Sequence, residues 1–133
     1  MVSNMSYTPY ADAEYYKNEF SGTTIQDEDI EKTLKNASRH IDALTYNRIV
    51  GKGIDALTEF QVDIVKEVAC EIAEFEYENA ELINSILQTY SINGVSMSFG
   101  SSWNVMVQNG IAIKRDTYER LCQTGLCSRI LRS

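Results

Sequence analysis

Histidine occurs once in the 133 residues, at His40. Catalysis built on a histidine base needs a nucleophile and an orienting carboxylate within reach. Asp42, close in sequence, points elsewhere on a helix, so His40 reads as a structural or surface residue. Cysteine occurs three times, at Cys70, Cys122 and Cys127. The odd count argues against a full disulfide framework. Cys122 and Cys127 have no second Cys or His pair after them, so the four-ligand spacing of a zinc site is missing. They read as two half-buried thiols around the last helix, and Cys70 as a packed one. Basic residues are also few: 12 Lys and Arg face 19 acids, for a formal net charge of −7. Nucleic-acid binders usually carry a basic face, so phosphate neutralisation is not the default role. The negative charge instead favours solubility and keeps monomers apart. No run approaches the ~18 apolar residues that span a bilayer. Met1 to Tyr10 lacks the basic and apolar regions of a secretory signal. A cytoplasmic chain without membrane association is expected, in which the glycosylation pattern Asn36-Ala37-Ser38 would go unused. Gly51-Lys52-Gly53 resembles a fragment of a phosphate loop but lacks the rest of that pattern.

The rest of the composition is that of a folded chain, 44% hydrophobic and 23% charged, and its length suits one domain, 1–133, with one core. Apolar spacing predicts a mainly α fold. Thr8-Pro9-Tyr10 predicts a first helix, with Thr8 as cap and Pro9 at the first helical position, where its missing N–H has no partner to lose. It is expected to reach Phe20, be rich in aromatics (Tyr10, Tyr15, Tyr16, Phe20) and break at Ser21-Gly22. A second helix is expected from Asp27 to about Arg48. Ile30, Leu34, Ala37, Ile41 and Leu44 form its buried stripe, and Glu28, Lys32, Lys35 and Arg39 its wet side. Gly51-Lys52-Gly53 follows as a loop.

Thr58 and Gln61 have capping-box spacing, with Leu57 placed to staple onto Val62. The helix that starts there is expected to reach about Leu87, roughly 30 residues and ~45 Å. It is the long central helix of a small bundle. Ile64, Val65, Val68, Ala69, Ile72, Ala73, Phe75, Leu82, Ile83 and Ile86 make a wide apolar face. Asp63, Glu67, Glu71, Glu74, Glu78 and Glu81 share one narrow acidic stripe. Glu76 falls inside the apolar arc and needs a partner, or a place where the core ends.

Beyond Leu87 the pattern changes. Tyr90 to Phe99 alternates apolar and polar around Asn93-Gly94, a type I′ turn pair. Gly100-Ser101-Ser102 is a loop. Val105 and Val107, then Ile111 and Ile113, alternate around Asn109-Gly110. A short β-hairpin element is expected near residues 90–113, antiparallel because its loops are so short. Asp116 is expected to cap a short last helix, with Glu119 at its third helical position. Gly125 stands where a left-handed C-terminal residue is wanted, and Leu126 can fold back on Leu121.

The acidic stripe would hold a metal only if His or Glu from facing helices matched it. A solvated edge or a subunit contact is the simpler reading, and no metal, cofactor or catalytic residue is expected. Tyr90, Met97, Phe99 and Trp103, set among Ser and Gly, suit a docking surface with a few aromatic anchors. They also suit a plain cover over the helical core, and both readings stay open.

Four segments together carry a resemblance: Ala37 to Arg48 (ASRHIDALTYNR), Leu57 to Gln61 (LTEFQ), Tyr90 to Met97 (YSINGVSM) and Leu121 to Leu126 (LCQTGL). In this order they resemble the head–tail connector (head completion) proteins of siphophages that infect Gram-positive bacteria, and of a defective Bacillus prophage. The likeness covers nearly the whole chain. None of its motifs is catalytic, and its specificity lies in the set. The resemblance implies a helical bundle with a small extended element. It also implies a structural adaptor that binds beneath the portal protein as a ring, usually dodecameric. Such a ring extends the DNA channel without sequence-specific binding and offers a surface to a stopper or tail-completion protein. The place implied is the host bacterial cytoplasm during assembly, then the head–tail junction of the virion. Ring assembly needs one patch to meet a different patch on the neighbour. The acidic stripe and the tail residues Arg129 and Arg132 are candidates for such a pair. Alternatively, the acids line the channel and repel passing phosphates. Two other classes compete: a small regulatory adaptor without enzymatic activity, and an enzyme, which would show a deep pocket with perturbed titratable groups.

Overall fold

The computed structural model describes residues 9–53, 56–93, 105–108 and 111–127. A π-helical turn, Tyr15–Glu19, comes first. It is followed by α1 (Asp27–Leu44), α2 (Arg48–Lys52), α3 (Glu59–Glu78), α4 (Ala80–Asn93), β1 (Val105–Gln108), β2 (Ile111–Lys114) and α5 (Arg115–Cys122). The fold is mainly α, a small helical bundle with one long helix and an antiparallel β-hairpin, as the apolar spacing predicts.

The core forms between α1 and α3. The whole predicted stripe of α1 is buried, and it meets Val65, Val68, Ala69, Ile72 and Ala73 of α3. Each fully buried Leu or Ile contributes about 2 kcal/mol by transfer from water, so this seam outweighs any surface ion pair. Ile49 of α2, Ile113 of β2 and Leu121 of α5 close the same cluster. A smaller cluster lies beyond it: Phe75, Val105, Val107 and Ala112, with Leu82, Ile83 and Leu87 of α4 half-buried against them. Strand β2 serves both clusters. Ile111 and Ile113 face the larger one and Ala112 the smaller, as a period of two requires. The hairpin register pairs Gln108 with Ile111 and Val107 with Ala112, closing across Asn109-Gly110 as expected.

Several boundaries differ from expectation. Thr8 lies outside the described residues, and Pro9 precedes the first helical turn instead of opening it. That turn begins at Ala13 and is capped by Asp12, whose Oδ1 accepts the Tyr15 N–H at 2.8 Å. Helix α1 stops at Leu44, short of Arg48. Tyr46 and Asn47 both take positive φ, 56° and 59°, and turn the chain back. Gly51 and Lys52, expected in a loop, belong to α2, and Gly53 ends it at φ 84°. The stretch expected as one helix to Leu87 is two. Asn79 leaves the helical region at φ −125°, ψ 29°, and both its N–H and its side-chain Nδ2 donate to the Phe75 carbonyl. Asparagine offers the backbone this local alternative. Helix α4 then runs to Asn93, so Tyr90 to Asn93 is helical and not a strand. Met97, Phe99, Trp103 and the rest of that expected hairpin lie outside the described residues. Helix α5 follows β2 directly, with Lys114 at its cap. Asp116 sits inside the first turn and does not cap it. Gly125 takes the expected left-handed conformation, φ 79°.

Candidate functional site

The acidic stripe of α3 is largely consumed by the fold. Arg120 of α5 pairs with Glu67 and, through Nη1, with Glu71 Oε2 at 3.0 Å. The Thr117 hydroxyl donates to Glu71 Oε1 at 3.1 Å. Burial holds the Glu71 carboxyl above the usual carboxylate range, against the bond from Thr117. Further along, Glu74 Oε2 accepts from the Tyr16 hydroxyl at 2.7 Å. Tyr16 is fully buried, and its oxygen also accepts the N–H groups of Thr24 and Ile25. Burial and the bond to Glu74 push this phenol up to about 12. Asp63 and Glu78 are the members of the stripe on α3 that stand exposed; Glu81, expected on the same stripe, falls on α4 beyond the break at Asn79 and is exposed there. The stripe is thus a seam between α3, α5 and the N-terminal turn, with open acids toward its two ends.

Glu76 resolves as the sequence requires, by finding a partner. Its Oε2 lies 2.5 Å from His40 Nδ1, with Glu76 16% and His40 39% exposed. The bond to Glu76 raises the His40 pKa against the opposing effect of burial. Beside this pair a cleft of about 380 Å³ opens between Asp29, Lys32, Thr33 and Asn36 of α1, Glu76 and Tyr77 of α3, and Ala80 of α4. The Tyr77 hydroxyl donates to Asp29 Oδ2 across it at 3.0 Å. Of the groups that wall the cleft, Asp29 and Tyr77 are thus bonded to each other and Glu76 to His40. Among the described residues no three His, Cys, Asp or Glu side chains are grouped to hold a metal ion.

A third constellation gathers at the other end of α3. Thr58 and Gln61 form the predicted capping box: Thr58 Oγ1 accepts the Gln61 N–H and Gln61 Oε1 accepts the Thr58 N–H. Gln61 Nε2 also donates to the Thr124 carbonyl at 2.9 Å. Arg48 Nη1 donates to the neighbouring Leu126 carbonyl at 3.1 Å, with its guanidinium over the Tyr46 ring. The start of α2, the start of α3 and the turn after α5 are thus tied together. Cys122 and Cys127 belong to the same end, and burial pushes the Cys127 thiol up. Cys70, within the core, is raised to about 12 by burial. The exposed large apolar side chains among the described residues, Tyr46, Val50 and Phe60, lie on the elements that meet here.

Of the docking candidates, Tyr90 falls on α4. Met97, Phe99, Trp103, Arg129 and Arg132 lie outside the described residues. Sequence reasoning missed Arg120, Thr117 and Tyr16 as partners of the acids. Thr117 and Arg120 are three apart on α5 and share a face, but their target is 46 or more residues away. Phe60 was legible only as a position at the start of a helix, and Val50 was assigned to no element. No protein-family model, curated protein or solved structure matches the chain.

Proposed function

We propose that this chain is a head–tail connector (adaptor) subunit of a tailed phage or prophage. It binds the portal protein as a ring, dodecameric on the portal, extends the DNA channel and presents a surface to a stopper or tail-completion protein. The role is structural, without a catalytic step. One observation carries the reading. Three of the four segments behind the resemblance, Ala37 to Arg48, Leu57 to Gln61 and Leu121 to Leu126, come from distant parts of the chain and converge on one knot. Arg48 and Gln61 grip the Leu126 and Thr124 carbonyls, two residues apart in the same turn. The segments that carry the resemblance thus share one structural task, closing this end of the bundle. The bundle with its small extended element is also the architecture that the resemblance implies. The exposed Val50 and Phe60 beside the knot give such a subunit apolar anchors.

The experiment is co-sedimentation of the purified chain with the portal protein encoded in the same gene cluster, followed by electron microscopy of the complex. A ring of added density beneath the portal is the expected result. Absence of binding across a range of salt and protein concentrations overturns the reading in favour of a small regulatory adaptor.

A further inference from the structure

The ion pair between His40 and Glu76 stands apart from the knot and from the acidic seam, and its placement is informative. His40 belongs to α1, whose buried stripe forms the core with α3. Glu76 belongs to the last turn of α3, just before Asn79 breaks the helix. Ala80, the first residue of α4, lines the cleft that Glu76 lines. Beyond this point α4 is held to the hairpin by a small cluster in which Leu82, Ile83 and Leu87 are only half-buried. Segments with few buried apolar groups open at low free-energy cost, so one charged contact at their root has leverage over them.

We propose that His40 and Glu76 form a proton-gated clasp: with His40 charged, the pair holds the end of α3 against α1 and steadies α4, and with His40 neutral α4 loosens. A neutral ring keeps at most an Nδ1–H bond to the carboxylate and loses the charge attraction, the stronger part of the contact. Of the charged groups on α3, Glu76 is the one that reaches His40. On α1 itself, Asp29 and Lys32 lie about three and two turns back along the helix, and Asp29 is bonded to Tyr77. Arg39 is the adjacent residue, and Asp42 is bonded to the Tyr10 hydroxyl from the N-terminal segment. The sign follows from the direction of the shift. The His40 pKa is raised in the folded protein, so the stabilisation is fully present below the unfolded value of about 6.5 and is lost as pH rises through the folded value. This inference is independent of the connector reading.

His40 is the only histidine of the chain, so its ring resonances in a proton NMR titration need no assignment. In the full-length wild-type protein it is expected to titrate at higher pH than in Glu76→Gln, a change that keeps the shape of the partner. Amide exchange of residues 80–87, corrected for its intrinsic pH dependence, supplies the second readout. Protection there should fall several-fold between pH 6 and pH 9 in the wild type and stay level in Glu76→Gln. Identical titration of the two proteins removes the clasp. Wild-type protection that stays level over the same range removes its hold on α4, even if the titration differs. The exchange result stands on the wild type alone, and should the variant not fold, a wild-type His40 that titrates at or below the free-imidazole value of about 6.5 removes the clasp.

Discussion

Tyr16 is the residue on which the N-terminal segment depends. Its ring stacks on Phe20 and is wholly buried, and its hydroxyl serves three partners, donating to Glu74 and accepting from Thr24 and Ile25. Removing one oxygen leaves two N–H groups and a half-buried carboxylate short of partners, at ~1–3 kcal/mol for each buried group left unpaired. Tyr16→Phe is therefore expected to lose about 3 kcal/mol in urea unfolding, far more than its small change in volume implies. A loss below ~0.5 kcal/mol would mean that water replaces the hydroxyl. Gly22 is bound to the same side chain, because a Cβ there would stand 2.2 Å from two Tyr16 ring carbons. Gly22→Ala should cost at least about 2 kcal/mol by overpacking a site that cannot yield. The phenol also sets a pH limit. Its pKa is raised from 10.0 to about 12, so its contribution is complete below pH 10 and disappears as pH climbs through about 12.

At the scale of elements, the break at Asn79 decides where α4 and the hairpin sit. Alanine is the better helix former by ~0.6 kcal/mol and lacks the Nδ2 bond to the Phe75 carbonyl. Asn79→Ala should favour one continuous helix and draw Leu82, Ile83 and Leu87 away from Phe75, Val105 and Val107. Expected is unchanged or higher helicity by circular dichroism, with faster amide exchange in residues 105–114. Unaltered exchange there would show that packing, not Asn79, sets the angle. This element also marks what the sequence can reveal. The stripe of α1, the capping box of α3 and the two-residue hairpin at Asn109-Gly110 were legible because each depends on spacing within a few residues. Asn79 was not, because the apolar period continues through it and a single polar residue is no helix stop. Tyr90 to Asn93 read as a strand because four residues of alternation cannot be told from the end of a helix. The acidic stripe was legible as a stripe, but its partners Arg120, Thr117 and Tyr16 come from α5 and the N-terminal turn, and only packing brings them together. Glu76 shows the boundary well: its position in the apolar arc demanded a partner, and nothing local named His40.

At the scale of the whole molecule, the net charge of −7 must be assigned to places before it can explain anything. Glu67, Glu71 and Glu74 are spent on internal contacts, so reversing their sign would report on folding. Glu74→Lys would set an ammonium beside the buried Tyr16 hydroxyl and is expected to unfold the N-terminal segment. Asp63, Glu78 and Glu81 are exposed, and changes at such positions usually alter stability by less than ~0.5 kcal/mol. They are therefore the residues with which to ask whether this edge faces DNA in the proposed ring. A lumen lined by acids repels phosphates and lets the duplex slide, whereas lysines at the same places would hold it through counterion release. In the proposed ring, twelve-fold repetition would multiply each substitution around the channel, so even a weak attraction per subunit would become large. The triple variant Asp63→Lys, Glu78→Lys, Glu81→Lys should fold with wild-type stability and assemble on the portal. It should then slow DNA ejection, with the delay shrinking as salt rises, because screening shortens the reach of each charge. Normal ejection kinetics from particles that contain the variant would place this edge on the outer wall of the ring, where an acidic surface only keeps neighbouring assemblies apart.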